Sequence, residues 1–253
     1  MRFRNQSILV TGASSGIGRA TALALGREGA RVVAAGRRAE RLREVAAAIE
    51  EAGGACEVVM GDVREVATCE AWVMTAAHPG GLDGLVNAAG VIGSGGLMQT
   101  APEEWDRVMD SNLRSMFLLT RAAAPELIKR KGRVVNLSSV AGPRPYAGLL
   151  SYCVSKAAVD QFTRCVALDL AAHGVRVNAV NPGVVVTELH TVTRAIPDYP
   201  EFLERSKTTH PLGRVGQPEE VARLILWLLS DEAGWITGGT YSIDGGRALA
   251  SAR

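Results

Sequence analysis

The chain has 253 residues, 47% of them hydrophobic and only 5% aromatic, so its core is built from Ala, Val, Leu and Ile. A net charge of +2 with both signs interspersed leaves no footprint for nucleic acid or an anionic membrane surface. No apolar stretch approaches the about 20 residues of a membrane span, and MRFRNQSILVTG enters a strand without a signal-peptide core, so a cytoplasmic location is expected. Cys56, Cys69, Cys153 and Cys165 have no CxxC or zinc-type spacing and read as reduced thiols. His78, His173, His190 and His210 are scattered without an HExxH, so no metal site is expected.

Short runs rich in Val, Ile and Leu alternate with helical segments. SILVTG (7–12) is followed by a helix beginning near Ile17, RVVAAG (31–36) by a helix over 39–52, and CEVVMGD (56–62) by one over 64–77. GLVNAAG (84–90) precedes 102–130, RVVNLSS (133–139) precedes 151–173, and VRVNAVNPG (175–183) and YSIDGG (241–246) complete the set. This alternation predicts a doubly wound α/β fold, a parallel sheet of about seven strands with helices on both faces. No linker or low-complexity run divides it, so residues 1–253 are expected to form a single doubly wound domain. Ligands of such sheets bind at the carboxyl ends of the strands.

TGASSGIG (11–18) lies between the first strand and the first helix. Its Gly12, Gly16 and Gly18 permit a close turn, and the helix start offers free N–H groups and partial positive charge to a pyrophosphate. At the end of the second strand, where an NAD site of this type usually carries Asp or Glu, Gly36 is followed by Arg37 and Arg38. Two guanidiniums suit a 2′-phosphate, so NADP(H) is expected in preference to NAD(H).

Together with GDV (61–63), VNAAG (86–90), SNL (111–113), NLSS (136–139), YCVSK (152–156), NPG (181–183) and DGG (244–246), these stretches closely resemble the short-chain dehydrogenase/reductase family, in its single-domain Rossmann branch, over about residues 6–247. The resemblance implies a dinucleotide held by Gly12, Ser14, Ser15, Gly16, Ile17 and Gly18, with Arg37 and Arg38 at the second strand. Asp62 and Val63 would flank the adenine, and Asn87, Ala88 and Gly90 would lie beside the adenosine half. Ala88 stands where the family commonly has a second Asn. Pro182, Gly183 and Val185 would run beside the nicotinamide, and Thr187 would hold its carboxamide.

The same resemblance implies Tyr152 as acid/base, with Lys156 one helical turn on, lowering the phenol from its reference pKa of about 10 and also bonding the nicotinamide ribose. Ser139 would orient the substrate oxygen, with Ser138 structural, and Asn112 would help hold a water linking Lys156 to solvent. Cys153 reads as packing, and Trp227 and Trp235 as core or interface. Residues 188–215 interrupt the strand–helix rhythm and are expected to form the substrate lid, with His190, Tyr199 and Phe202, and the stretch 142–150 opposite, as candidate pocket walls.

The expected activity interconverts a ketone or aldehyde and its alcohol. The ending HPLGRVGQPEEVARLILWLLSDEAGWITGGTYSIDGG resembles 3-oxoacyl-acyl-carrier-protein reductases, and Arg130 matches one of their basic positions, but His173 stands where they often have Arg. A non-catalytic dinucleotide-binding regulator would have no need of Ser139, Tyr152 and Lys156 together. Sugar-nucleotide epimerases and dehydratases of the broad family are usually longer chains. Apart from a small carbonyl or alcohol substrate, the implied partner is a second copy of the chain, in a homotetramer or homodimer packed through 102–130 and 151–173.

Overall fold

The computed structural model describes residues 1–192 and 198–249, with the side chains of His190 and Val192 outside that description. Seven parallel strands form one sheet in the order β3-β2-β1-β4-β5-β6-β7. They are β1 (Ser7–Thr11), β2 (Arg31–Gly36), β3 (Ala55–Met60), β4 (Gly84–Asn87), β5 (Arg133–Leu137), β6 (Arg176–Pro182) and β7 (Thr240–Ile243). The helices are α1 (Gly16–Arg27), α2 (Ala39–Glu51), α3 (Val66–Ala77), α4 (Pro102–Met109), α5 (Ser115–Arg130), α6 (Leu150–Ala171), α7 (Leu189–Val192), α8 (Tyr199–Thr208) and α9 (Pro218–Leu229).

The central strands are buried along almost their whole length, which is why SILVT and GLVN read as continuous apolar runs rather than alternating ones. Alternate residues feed two cores. Ile8, Val10, Val32, Ala34, Val86, Val135 and Val180 pack under α1, α2 and α9. Leu9, Val33, Ala35, Leu85, Val134 and Val177 pack under α3, α5 and α6. Each fully buried Val or Leu contributes about 1.5–3 kcal/mol, so the two layers are the main source of stability. The edge strands β3 and β7 are half-exposed.

The strand order reverses between β1 and β4, which opens a crevice at their carboxyl ends. Thr11 ties the two ends together: its Oγ1 accepts from the amides of Ala88 and Ala89 at 3.0 and 3.1 Å. Gly12 follows at φ 65°, and a Cβ there would sit 2.9 Å from the backbone of Ala88 and Ala89. Only glycine lets the turn pass so close to β4.

The predicted helix over 102–130 is helical throughout but contains a π turn. Asp110–Arg114 form a π-helical turn between α4 and α5, and Asn112 at its centre is fully buried. Such turns insert one extra residue and re-aim a side chain, often at a functional site. Here Asn112 Nδ2 donates to the Val91 carbonyl and to Ser155 Oγ, both at 2.9 Å, while Oδ1 accepts from the Val91 amide at 2.8 Å.

Candidate active site

At the end of β5, Ser138 and Ser139 both line the cavity but bond differently. Ser138 Oγ donates to the Lys156 carbonyl at 3.1 Å, while Ser139 Oγ accepts from the Ala141 amide at 3.1 Å. The first two turns of α6 bring Tyr152 and Lys156 to the same cavity. Lys156 Nζ lies 5.7 Å from the centroid of the Tyr152 ring and donates to the Leu137 carbonyl at 2.7 Å. Both side chains are buried.

That burial sets the titration of both. Desolvation pushes the Tyr152 phenol above its ordinary value, and the Ser139 hydroxyl pulls it only part of the way back. The expected lowering by Lys156 is therefore not the net direction here. Lys156 itself falls to about 8, because burial penalises its ammonium more than the Asp160 carboxylate favours it.

The sign is testable. Below pH 8 the folded chain bears the whole cost of burying the ammonium. As pH climbs from there toward the ordinary lysine value, the folded state sheds the proton first and stability rises. Between about pH 7 and 9.5, wild type should gain about 2 kcal/mol over Lys156→Met in denaturant unfolding. A pH-independent difference would show that Lys156 is not held charged against its surroundings.

Asp160 and Asn181 back this centre; Asp160 is signalled only by its i, i+4 spacing from Lys156, and Asn181 only by its place at the head of the NPG stretch. Asn181 Nδ2 donates to both Asp160 carboxylate oxygens at 3.1 Å and to the Ser139 carbonyl at 2.9 Å. Burial raises Asp160, and the Ser138 and Asn181 hydrogen bonds oppose that rise. Asn112 lies next to Lys156: a Cβ on Gly90 would meet Asn112 Oδ1 at 3.1 Å and Lys156 Nζ at 3.8 Å.

Two cavities share the walls Ile17, Ala88, Gly90, Leu137, Thr187 and Leu189. One, of about 360 Å³, holds Ser139, Tyr152, Lys156, Pro182, Gly183 and Val185. The other, of about 270 Å³, is lined by Gly12, Ser14, Ser15, Gly16 and Gly18, by Arg37 and Arg38, and by Asp62 and Val63. Asn87 lines neither. Its Nδ2 donates to Thr120 Oγ1 and Asn136 Oδ1, which ties the end of β4 to α5 and β5.

Arg38 is already engaged. Its Nε and Nη2 donate to Ser14 Oγ at 3.3 and 3.1 Å, and Nη1 pairs with Glu188 at 2.7 Å across the groove. Arg37 is exposed and makes no ion pair among the described residues. Arg64, with a smaller contribution from Arg37, holds the Asp62 carboxyl below its usual value.

Around the lid, Phe202, Leu189, Tyr146 and Leu149 line the larger cavity. Tyr199 does not: its hydroxyl bonds both the amide and the carbonyl of Thr187 at 3.0 Å and anchors α8 to the strand end. The His190 side chain and residues 193–197 of the expected lid lie outside the described residues. Cys153 packs with Ile92, Ala141 and Tyr152, Trp227 packs against the first core, and Trp235 is fully exposed. Among the described residues no group of His, Cys, Asp and Glu could hold a metal, and no helix is long and apolar enough to cross a membrane.

A doubly wound sheet with this turn at its reversal point defines a dinucleotide-binding fold. The family profile described as Enoyl-(Acyl carrier protein) reductase matches residues 12–248. The chain is 39% identical to 2-(S)-hydroxypropyl-CoM dehydrogenase 3 of Xanthobacter autotrophicus, over 97% of each chain. It is 40% identical to 3beta-hydroxysteroid dehydrogenase 1 of Eggerthella lenta (97% of this chain, 95% of the relative) and 38% identical to the 3-oxoacyl-[acyl-carrier-protein] reductase FabG of Thermotoga maritima (98% and 100%).

Among solved structures, a short-chain dehydrogenase/reductase of Caenorhabditis elegans with cofactor aligns at TM-score 0.94 and 35% identity, covering 100% of this chain and 98% of that one. A single-residue variant of actinorhodin polyketide ketoreductase with NADPH aligns at 0.92 and 34%, covering 99% and 100%. The chain belongs to the short-chain dehydrogenase/reductase family of nicotinamide-dinucleotide oxidoreductases.

Proposed function

We propose that the chain is an NADP(H)-dependent oxidoreductase that interconverts a ketone or aldehyde and its alcohol, working as a reductase. The carrying observation is the convergence of Ser139, Tyr152 and Lys156 on a cavity that shares walls with the glycine-turn groove. The groove fits the dinucleotide: Gly12 allows close backbone approach, and the Ser15 side chain does not cap the start of α1, which leaves its first amides for a pyrophosphate. Gly12, Ser14, Ser15, Gly16, Ile17 and Gly18 would hold it, with Arg37 and Arg38 beside the 2′-phosphate and Pro182, Gly183, Val185 and Thr187 beside the nicotinamide.

Bound there, the cofactor supplies the hydride. Charge gathers on the substrate oxygen as its carbonyl carbon is reduced. Ser139 donates a hydrogen bond to that oxygen, and Tyr152, which burial keeps protonated, delivers the proton. Lys156 faces the ring and steadies the phenolate left behind. Asn112, bonded to Val91 and Ser155, ties the loop after β4 to the helix that carries Lys156. The single-domain organisation and cytoplasmic location belong to the same proposal, as does assembly into a homotetramer or homodimer. Phe117 on α5 and Val154 and Leu168 on α6 are large apolar side chains exposed in the single chain, which supports packing of these helices against a second copy.

A 3-oxoacyl-carrier-protein reductase is the second reading, favoured by the similarity to the Thermotoga maritima protein. Its expected basic residue, Arg130, pairs with Asp83 at 2.9 Å at the amino-terminal edge of the sheet, opposite the cleft of its own chain. Purified protein should oxidise NADPH faster than NADH with free ketones, aldehydes, sugars or steroids as acceptors. Turnover confined to an acetoacetyl thioester would overturn the first reading in favour of the second.

A further inference from the structure

Lys156 and Arg247 are the two charged side chains that line the larger cavity, and no carboxylate faces it among the described residues. Lys156 belongs to the proposed chemistry. Arg247 does not, and lies in the turn after β7, far along the chain from the catalytic motifs. Most of the remaining wall is apolar, with Ile92, Val140, Leu149, Val184, Leu189 and Phe202 among its members.

Arg247 is held in place. Its guanidinium lies 5.1 Å from the centroid of the Tyr146 ring, and Nη1 donates to Thr209 Oγ1 at 2.8 Å. Arg144 lies over the same ring at 5.7 Å and donates to the Arg247 carbonyl at 3.3 Å. Among the described residues Arg247 makes no ion pair. Asp244, three residues upstream, spends its carboxylate oxygens on the amides of Gly246 and Ala248. A guanidinium offers five N–H donors, so several remain. The Tyr146 hydroxyl adds a further one, buried and, among the described residues, without a hydrogen-bond partner. An unmet buried donor is costly and awaits an acceptor.

We propose that the substrate carries an oxyanion, a carboxylate or sulfonate, on the end away from its reacting carbonyl, and that Arg247 and the Tyr146 hydroxyl bind it. This rests on the oxidoreductase reading and names the substrate class of the same site. A guanidinium on a largely apolar wall, with no carboxylate paired to it, selects an anion and rejects a cation. The apolar walls fit the carbon chain joining the two ends.

The test is a chain-length series of methyl ketones ending in a carboxylate, each compared with its methyl ester, with a parallel sulfonate series and NADPH as donor. At the best length, kcat/KM for the acid should exceed that for the ester by about 10- to 100-fold. Arg247→Gln should collapse this ratio, chiefly through KM of the acid, Arg247→Lys should restore part of it, and Tyr146→Phe should reduce it less. The carboxylate and sulfonate arms decide which oxyanion fits.

Esters turned over as well as acids at every length by wild-type protein would overturn the inference while leaving the oxidoreductase reading standing, and this result needs no variant to fold. An acid preference that survives Arg247→Gln would also overturn it. Failure to turn over any carbonyl compound would sink both.

Discussion

Tyr152→Phe is expected to lower kcat about a thousandfold while leaving NADPH affinity nearly intact, the loss appropriate to removing a positioned general acid. The substitution keeps the ring, and so keeps the cluster with Ile92, Ala141 and Cys153 and the face over which Lys156 stands. Only the hydroxyl goes, and with it the proton that must reach the substrate oxygen. Steady-state kinetics with the best carbonyl substrate, together with a fluorescence titration of NADPH, separates the two effects. A fall in NADPH affinity comparable to the fall in rate would make Tyr152 a binding residue and remove the assigned role.

Why the fold is so legible is a matter of burial. Strands covered on both faces must be apolar throughout, so SILVT, GLVN and RVVNL announce themselves without any periodicity. The predicted runs overshoot the strands at their carboxyl ends, at Gly61–Asp62, Ala88–Gly90 and Ser138–Ser139, because the chain keeps its small residues there to make room for a ligand. What sequence leaves out is the partners that are distant in the chain. The Asn87 amide donates to Thr120 and Asn136, neither of which its motif names.

The π turn at Asp110–Arg114 has no Gly or Pro to mark it; at its centre Asn112 reaches Val91 and Ser155. Location alone puts Tyr199 in the pocket, but a phenol can satisfy a backbone amide and carbonyl at once, and Thr187 offers both. Glu188 and Arg247 have no motif to point to them. Their meaning comes only from Arg38, 150 residues from one, and from the Tyr146 ring beside the other.

Exchanging the charges at the end of β2 should reverse the cofactor preference. Arg37→Asp with Arg38→Ala is expected to lower kcat/KM for NADPH relative to NADH by about 10²- to 10³-fold, the worth of one or two charge-assisted hydrogen bonds to phosphate plus the repulsion from the new carboxylate. The two arginines are not equivalent. Arg37 is exposed and without an ion pair among the described residues, whereas Arg38 is shared between Ser14 and Glu188. A 2′-phosphate approaching Arg38 therefore competes with a carboxylate that already holds it. Glu188→Gln should free Arg38 and raise NADPH preference a few-fold on its own, although Glu188 lies beyond β6 and outside every glycine motif. Kinetics of both cofactors with wild type, the double variant and Glu188→Gln decides the matter. An unchanged ratio in the double variant sinks the phosphate-reading role of the arginines, and a fall in the ratio for Glu188→Gln would mean that Glu188 positions Arg38 for the phosphate rather than competing with it.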